Sequence, residues 1–171
     1  AFCDKCVEVC PNRANHAYTV SPINIELPRL ACADGELETV GQEVFAVEQA
    51  RQIIHVDDFC NECGNCATFC VHQGKPYSEK PRLFLKKQDF EQEQDNAWFI
   101  EGDSVWRREG GQESRLSMGN GFLTYESDKI RMHLSPDLVA DEMVLKGTFD
   151  GELSLREAAE MYVVLDGISA S

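Results

Sequence analysis

The chain contains no apolar run approaching the roughly 20 residues that a membrane-crossing helix requires, so no membrane span is expected. Basic residues are scarce: 16 Lys and Arg stand against 30 Asp and Glu, a formal charge of −14 with histidine neutral. That balance excludes nucleic acid and anionic membrane surfaces as natural partners. It favours docking on basic or mixed surfaces, with association slowing as salt rises, and a merely solvated acidic surface is the plain alternative. Familiar catalytic strings are missing too. There is no G-x-S-x-G elbow, no P-loop and no G-x-G-x-x-G behind a strand, and His16, His55, His72 and His133 are scattered. No catalytic residue is therefore expected in this chain. Nor is there a secretory stretch to imply an oxidising compartment, so a cytoplasmic setting with reduced thiols is expected. Hydrophobic residues, at 43%, still allow a real core in one domain or two small ones.

What the chain has is cysteine in an unusual arrangement. Cys60, Cys63, Cys66 and Cys70 read C-x2-C-x2-C-x3-C. In such a run three thiolates wrap one iron–sulfur cluster, and the fourth reaches the other cluster of a two-cluster ferredoxin. The short spacing lets a tight loop aim successive sulfurs at different irons, and Gly64 offers backbone without a Cβ where the chain nears the core. Cys3, Cys6 and Cys10, followed by Pro11, repeat the run without its first cysteine, which would fall immediately before Ala1. The chain is accordingly expected to be a piece of a longer polypeptide.

Two other uses of cysteine compete with this one. Zinc also takes C-x2-C pairs, but its sites close with four ligands and usually bring two separated pairs. Disulfides would need a denser framework than 8 cysteines in 171 residues. Cys32, alone between the runs, reads as a small buried hydrophobe or an idle thiol, with a compensating ligand role as the less favoured alternative.

Around the runs the chain alternates as strands do. His16–Val20 and Gln52–Val56 would pair antiparallel and bring the two cysteine runs together. Residues 21–51 form an excursion covering one face, with Asp34-Gly35 as a turn; the spacing of Leu37, Val40, Val44 and Val47 is loosely helical, while Phe45-Ala46-Val47 fits a strand equally. His72 reads as an exposed loop residue near the last ligand. Farther on, strands are expected at Arg82–Lys86, Ala97–Ile100, Ser104–Arg107, Phe122–Tyr125 and Ile130–Leu134. Several are separated by the turns Gly102-Asp103, Gly110-Gly111 and Gly119-Asn120-Gly121, giving an antiparallel meander with Trp98 and Trp106 in its core. Residues 136–147 fit either a short helix or a strand. A closing helix has Ser154 and Glu157 as a capping pair, an apolar stripe from Leu155 to Leu165, and Gly167 near its end.

Cys10-Pro11-Asn12-Arg13-Ala14-Asn15, His55-Val56-Asp57, the stretch Cys60 to Cys70, Gly74-Lys75-Pro76-Tyr77 and Gln88-Asp89-Phe90 together resemble a known family. It is the C-terminal iron–sulfur region of the selenate reductase subunit proteins, flavoproteins related to the small subunit of glutamate synthase. The resemblance covers roughly residues 1 to 102, skipping the excursion. It implies an upstream module carrying FAD and NAD(P). It also implies a further redox subunit, a molybdenum hydroxylase among the candidates, with this region relaying electrons between them. The chain departs from the family in the absent first cysteine, in Val71 where a proline often stands, and in the excursion with Cys32.

The expected fold class is therefore α+β. Residues 1–80 would form a bacterial-ferredoxin-like domain for two [4Fe–4S] clusters, with 21–51 as its excursion, and 81–171 a β-rich domain ending in a helix. Crossed ligation assigns Cys60, Cys63, Cys66 and Cys10 to one cluster, expected intact. It assigns Cys3, Cys6 and Cys70 to the other, expected labile or three-iron because its fourth ligand is not in this chain. The expected function is electron transfer within a larger oxidoreductase. The alternative is a structural or partner-binding module whose cysteines hold zinc or an electron-silent cluster.

Overall fold

Two-residue turns set the register of the second half of the chain. In the computed structural model, which describes residues 3–169, Glu109 pairs with Gln112 across Gly110-Gly111, and Gly119 with Phe122 across Asn120-Gly121. All four turn residues have positive φ (58°, 74°, 51° and 80°), the requirement of a type I′ hairpin whose twist matches its strands. Gly102-Asp103 closes a third hairpin, with Glu101 opposite Ser104. The resulting meander runs through the strands numbered β6 to β10: Ala97–Glu101, Ser104–Glu109, Gln112–Gly119, Phe122–Glu126 and Ile130–Leu134. The ambiguous stretch after it is a strand, β11 (Ala140–Leu145), paired antiparallel with β10.

The first half supplies α1 (Lys5–Glu8), β1 (Asn15–Thr19), β2 (Ile23–Ala33), β3 (Glu36–Val47), β4 (Arg51–Val56), a 3-10 turn (Asp57–Phe59), α2 (Asn65–Thr68) and α3 (Pro76–Glu79). It continues with β5 (Arg82–Phe84) and α4 (Lys87–Glu91), and the chain closes with β12 (Glu152–Ser154) and α5 (Arg156–Ser169). As the alternation predicts, β1 and β4 pair antiparallel, from Asn15 opposite His55 to Thr19 opposite Arg51.

The expected α+β ferredoxin-like class is nevertheless wrong. The protein is mostly β, 45% strand and 20% helix, and its helices are short. β4 continues into β5 and β5 into β6 by parallel pairing, with α4 in the crossover before β6. One mixed sheet of nine strands therefore runs β1-β4-β5-β6-β7-β8-β9-β10-β11. The physical reason lies in β4. Ile53, Ile54, His55 and Val56 are all buried, so the strand is covered on both faces and is paired along both edges. The cysteine helices α1 and α2, one turn each, are too short to form a layer of their own.

The excursion is also strand throughout. β2 and β3 form a long hairpin closed at Asp34-Gly35 (φ 52° and 79°), and with β12 they make a three-stranded sheet. The loosely helical spacing of Leu37, Val40, Val44 and Val47 gives way to β-branched content and to burial of Phe45. Leu27, Leu30 and Phe45 join the main core with Trp98, Val105, Leu116 and the inner residues of α5.

α5 packs against β1, β7 and β8. Only half of the expected capping pair forms: Ser154 accepts from the first N–H of the helix, while Glu157 is engaged elsewhere. Ser154 lies in β12 and bonds Glu43 while accepting from the Arg156 N–H, and Glu157 accepts from Ser114 on β8 at 2.8 Å. Gly167 sits inside the helix, where a Cβ would collide with the Tyr18 ring and lie 2.8 Å from Val20 Cγ1. Gly167→Ala gains up to ~1 kcal/mol in helix propensity but overpacks this contact at a cost of about 1–3 kcal/mol. A net loss of up to about 2 kcal/mol is expected in urea unfolding; a raised midpoint would contradict this packing. Among the described residues, no helix is long and apolar enough to cross a membrane.

Candidate metal centre

The two cysteine runs fold alike. In the first, the Asp4 carbonyl accepts from Val7 N at 2.8 Å and Glu8 N at 3.1 Å; in the second, the Gly64 carbonyl accepts from Ala67 N at 3.1 Å and Thr68 N at 3.0 Å. Each turn ends the same way. Arg13 N bonds the Cys10 carbonyl at 3.2 Å, and Gln73 N bonds the Cys70 carbonyl at 3.1 Å. Arg13 and Gln73 both take positive φ (54° and 56°). That left-handed step aims the next amide back at the sulfur: Ala14 N–H donates to Cys10 Sγ at 3.2 Å and Gly74 N–H to Cys70 Sγ at 3.4 Å. A third such bond runs from Glu62 N–H to Cys60 Sγ at 3.3 Å. Backbone donors of this kind favour thiolate and tune the potential of a cluster.

Gly64 has φ 77°, and nothing lies within 4 Å of where its Cβ would stand. Its positive φ is the left-handed conformation that glycine adopts without strain. Gly74 is the crowded one, since a Cβ there would sit 2.7 Å from Glu79 Oε2 and 3.7 Å from Cys70 Sγ.

Both turns lie on one face of the sheet. Alternation along β4 sends Ile54 into the core beside α5, while Ile53 faces the other way and packs with buried Cys6 and Cys66 and with Tyr77. Cys3, Cys10, Cys60 and Cys70 are half-buried, and Cys63 is exposed. Burial pushes the Cys60 thiol up and the Glu62 N–H opposes it, while Asp57, Cys10 and Cys66 add to the rise as nearby negative groups. Burial also raises Cys6, with Lys80 opposing and Cys66 reinforcing. Cys60 is thus within electrostatic reach of Cys10 and Cys66, and Cys6 of Cys66. Cys32 lies on β2 in the other sheet. Among the described residues, no three His, Cys, Asp or Glu side chains converge as tightly as a single bound ion requires. A multi-iron core holds its thiolates farther apart than a lone tetrahedral ion does.

The sequence reading passed over two polar residues behind this site. Asn15 and His55 face each other across β1 and β4 and are 2% and 1% exposed. Asn15 Nδ2 donates to the Cys6 carbonyl at 3.0 Å, so its Oδ1 accepts from His55 Nδ1–H at 2.8 Å. His55 Nε2 is buried and has no partner among the described residues. The available signal was strand parity, which places Asn15 with Ala17, and His55 with Ile53, on the cysteine-bearing face.

Burial, with the Arg82 guanidinium second, holds His55 below its ordinary value of 6.5. The unfolded chain therefore binds the extra proton first as pH falls. Stability should drop below about pH 6.5, by at most about 1.4 kcal/mol per pH unit from this group. Burial raises Asp57, whose protonation on folding works in the opposite sense. Denaturation from pH 8 to 5 should show a shallower acid loss in His55→Asn than in the wild type; identical slopes would contradict a neutral buried imidazole.

No family model matches the chain, and no solved structure matches it. Curated relatives do. YgfK of Escherichia coli strain K12, provisionally named an oxidoreductase, is 36% identical over 99 residues, which is 58% of this chain and 7% of the relative. YgfK of Escherichia coli O157:H7, under the same provisional name, matches with the same identity and coverage. The similarity fits a general redox role, and the matched segment is a small fraction of those proteins.

Proposed function

We propose that this chain is an electron-transfer module of a larger oxidoreductase and that its paired cysteine turns hold [4Fe–4S] clusters. The carrying observation is the repeated turn, with an amide aimed at Sγ of Cys10 and of Cys70 from the same position past each ligand. The donor set fits such a cluster: seven thiols on two matched turns, with amide donors on three of the sulfurs. Cys60, Cys63, Cys66 and Cys10 would hold one cluster, and Cys3, Cys6 and Cys70 would contribute to the other. When bound, a cluster supplies reversible one-electron storage.

The chain's own residues do the rest. Buried Cys6 and Cys66 limit water at the inner side, the amides stabilise thiolate charge, and Cys63 stands exposed at the surface. The likeness to YgfK supports a general redox role, and the resemblance to the selenate reductase subunit region implies a relay between an FAD- and NAD(P)-linked module and a further redox subunit, a molybdenum hydroxylase being one candidate. All proposed ligands fall within residues 3–80, while the sheet runs on through residue 80.

The test is low-temperature electron paramagnetic resonance on anaerobically reconstituted protein before and after dithionite. A cluster signal that appears on reduction and reverses on reoxidation is expected. Bound zinc with no reducible signal would instead support a structural module.

A further inference from the structure

We propose that Asn15 and His55 are positioning residues that fix the Cys6 turn relative to the loop entering Cys60. The inference rests on the cluster reading above. Asn15, His55 and Arg82 stand in register across β1, β4 and β5, so their side chains share the cysteine-bearing face. At one end of this row Asn15 holds the Cys6 carbonyl. At the other, Arg82 reaches Asp57 Oδ1 at 3.6 Å, and the Asp57 carbonyl accepts from Cys60 N at 3.0 Å. The pair of Asn15 and His55 thus ties the Cys6 turn to β1 and β4, and Arg82, next to His55 in register on β5 but not bonded to it, ties the Cys60 loop to the same sheet.

A purely structural role explains the row less well. Buried amide and imidazole groups cost free energy unless bonded, and an apolar pair of similar size would fill the same space without that demand. What the polar pair adds is direction. Asn15 is satisfied only when the Cys6 carbonyl stands in one place, and His55 fixes which way the Asn15 amide points. Partners of this kind, bonded to the ligand-bearing backbone, do for a cluster what second hydrogen bonds do for metal-bound histidines.

The experiment compares wild type, Asn15→Leu, His55→Leu and His55→Asn in the full chain. The last keeps a donor where Nδ1 stood. Iron loss from reconstituted protein to a chelator should accelerate about tenfold or more in both leucine variants and return close to the wild-type rate in His55→Asn. Amide hydrogen exchange on metal-free protein provides the second readout. Protection should fall at Val7, Glu8 and Val9 in the leucine variants, while β7 and β8 stay protected. Wild-type iron-loss rates with unchanged protection at Val7 to Val9 would overturn the proposal, and so would exchange that rises equally in β7 and β8. If wild type takes up no iron, the cluster reading falls and the exchange result alone decides the positioning role.

Discussion

Cys10→Ala is expected to damage the cluster proposed for Cys60, Cys63 and Cys66, although Cys10 belongs to the other run. Its turn closes with the Ala14 N–H bonded to its Sγ at 3.2 Å, as the second run closes on Cys70. Three remaining thiolates can still hold the core, so the site should keep iron but lose about one of its four irons or take water in place of the thiolate. The four-iron resonance of that site should give way to a three-iron or altered signal, with matching loss in iron analysis. Cys32→Ala should leave the same signal untouched, because Cys32 sits on β2 in the other sheet. A normal four-iron signal in Cys10→Ala together with its loss in Cys32→Ala would overturn the crossed ligand assignment.

Arg82→Leu is expected to cause the largest loss of stability among single changes near the site. Arg82 Nη2 donates to Glu93 Oε2 at 3.1 Å and to the Asp95 carbonyl at 3.0 Å, and Nε donates to the Asn96 carbonyl at 3.3 Å. Its guanidinium also lies 5.5 Å from the centre of the Phe84 ring. Removal leaves these acceptors and Asp57, itself raised by burial, without their cation. Breaking a fully buried pair costs about 3–5 kcal/mol. Arg82 and Asp57 are 21% and 34% exposed, so solvent takes up part of the loss. A drop of about 2–3 kcal/mol is expected, read as a lower urea midpoint with an unchanged slope. A loss under about 1 kcal/mol would mean that the row does not brace the Cys60 loop.

The features legible in the sequence are those fixed by neighbouring residues. The cysteine turns, the pairing of β1 with β4, and the hairpins at Asp34-Gly35, Gly110-Gly111 and Asn120-Gly121 all follow from local backbone chemistry. What escaped was decided between distant segments. Nothing near Arg82-Leu83-Phe84 indicates that it will insert parallel between β4 and β6, and that insertion joins the β1–β4 pair and the meander into one nine-stranded sheet. Glu157 matched a local capping pattern but turned to Ser114, far away in the chain, while Ser154 kept its bond to the Arg156 N–H and added one to Glu43. Asn15 and His55 were hidden for the same reason, since their meaning depends on a carbonyl nine residues before Asn15 and on Arg82 from another strand. Pattern reading therefore found the two matched cysteine turns and missed the buried polar groups behind them.

Counting iron and acid-labile sulfide per chain after careful anaerobic reconstitution tests the central claim most directly. The account predicts at least about four irons with a matching amount of sulfide, held by Cys60, Cys63, Cys66 and Cys10. Fewer than about four irons, or zinc with no labile sulfide, would contradict it.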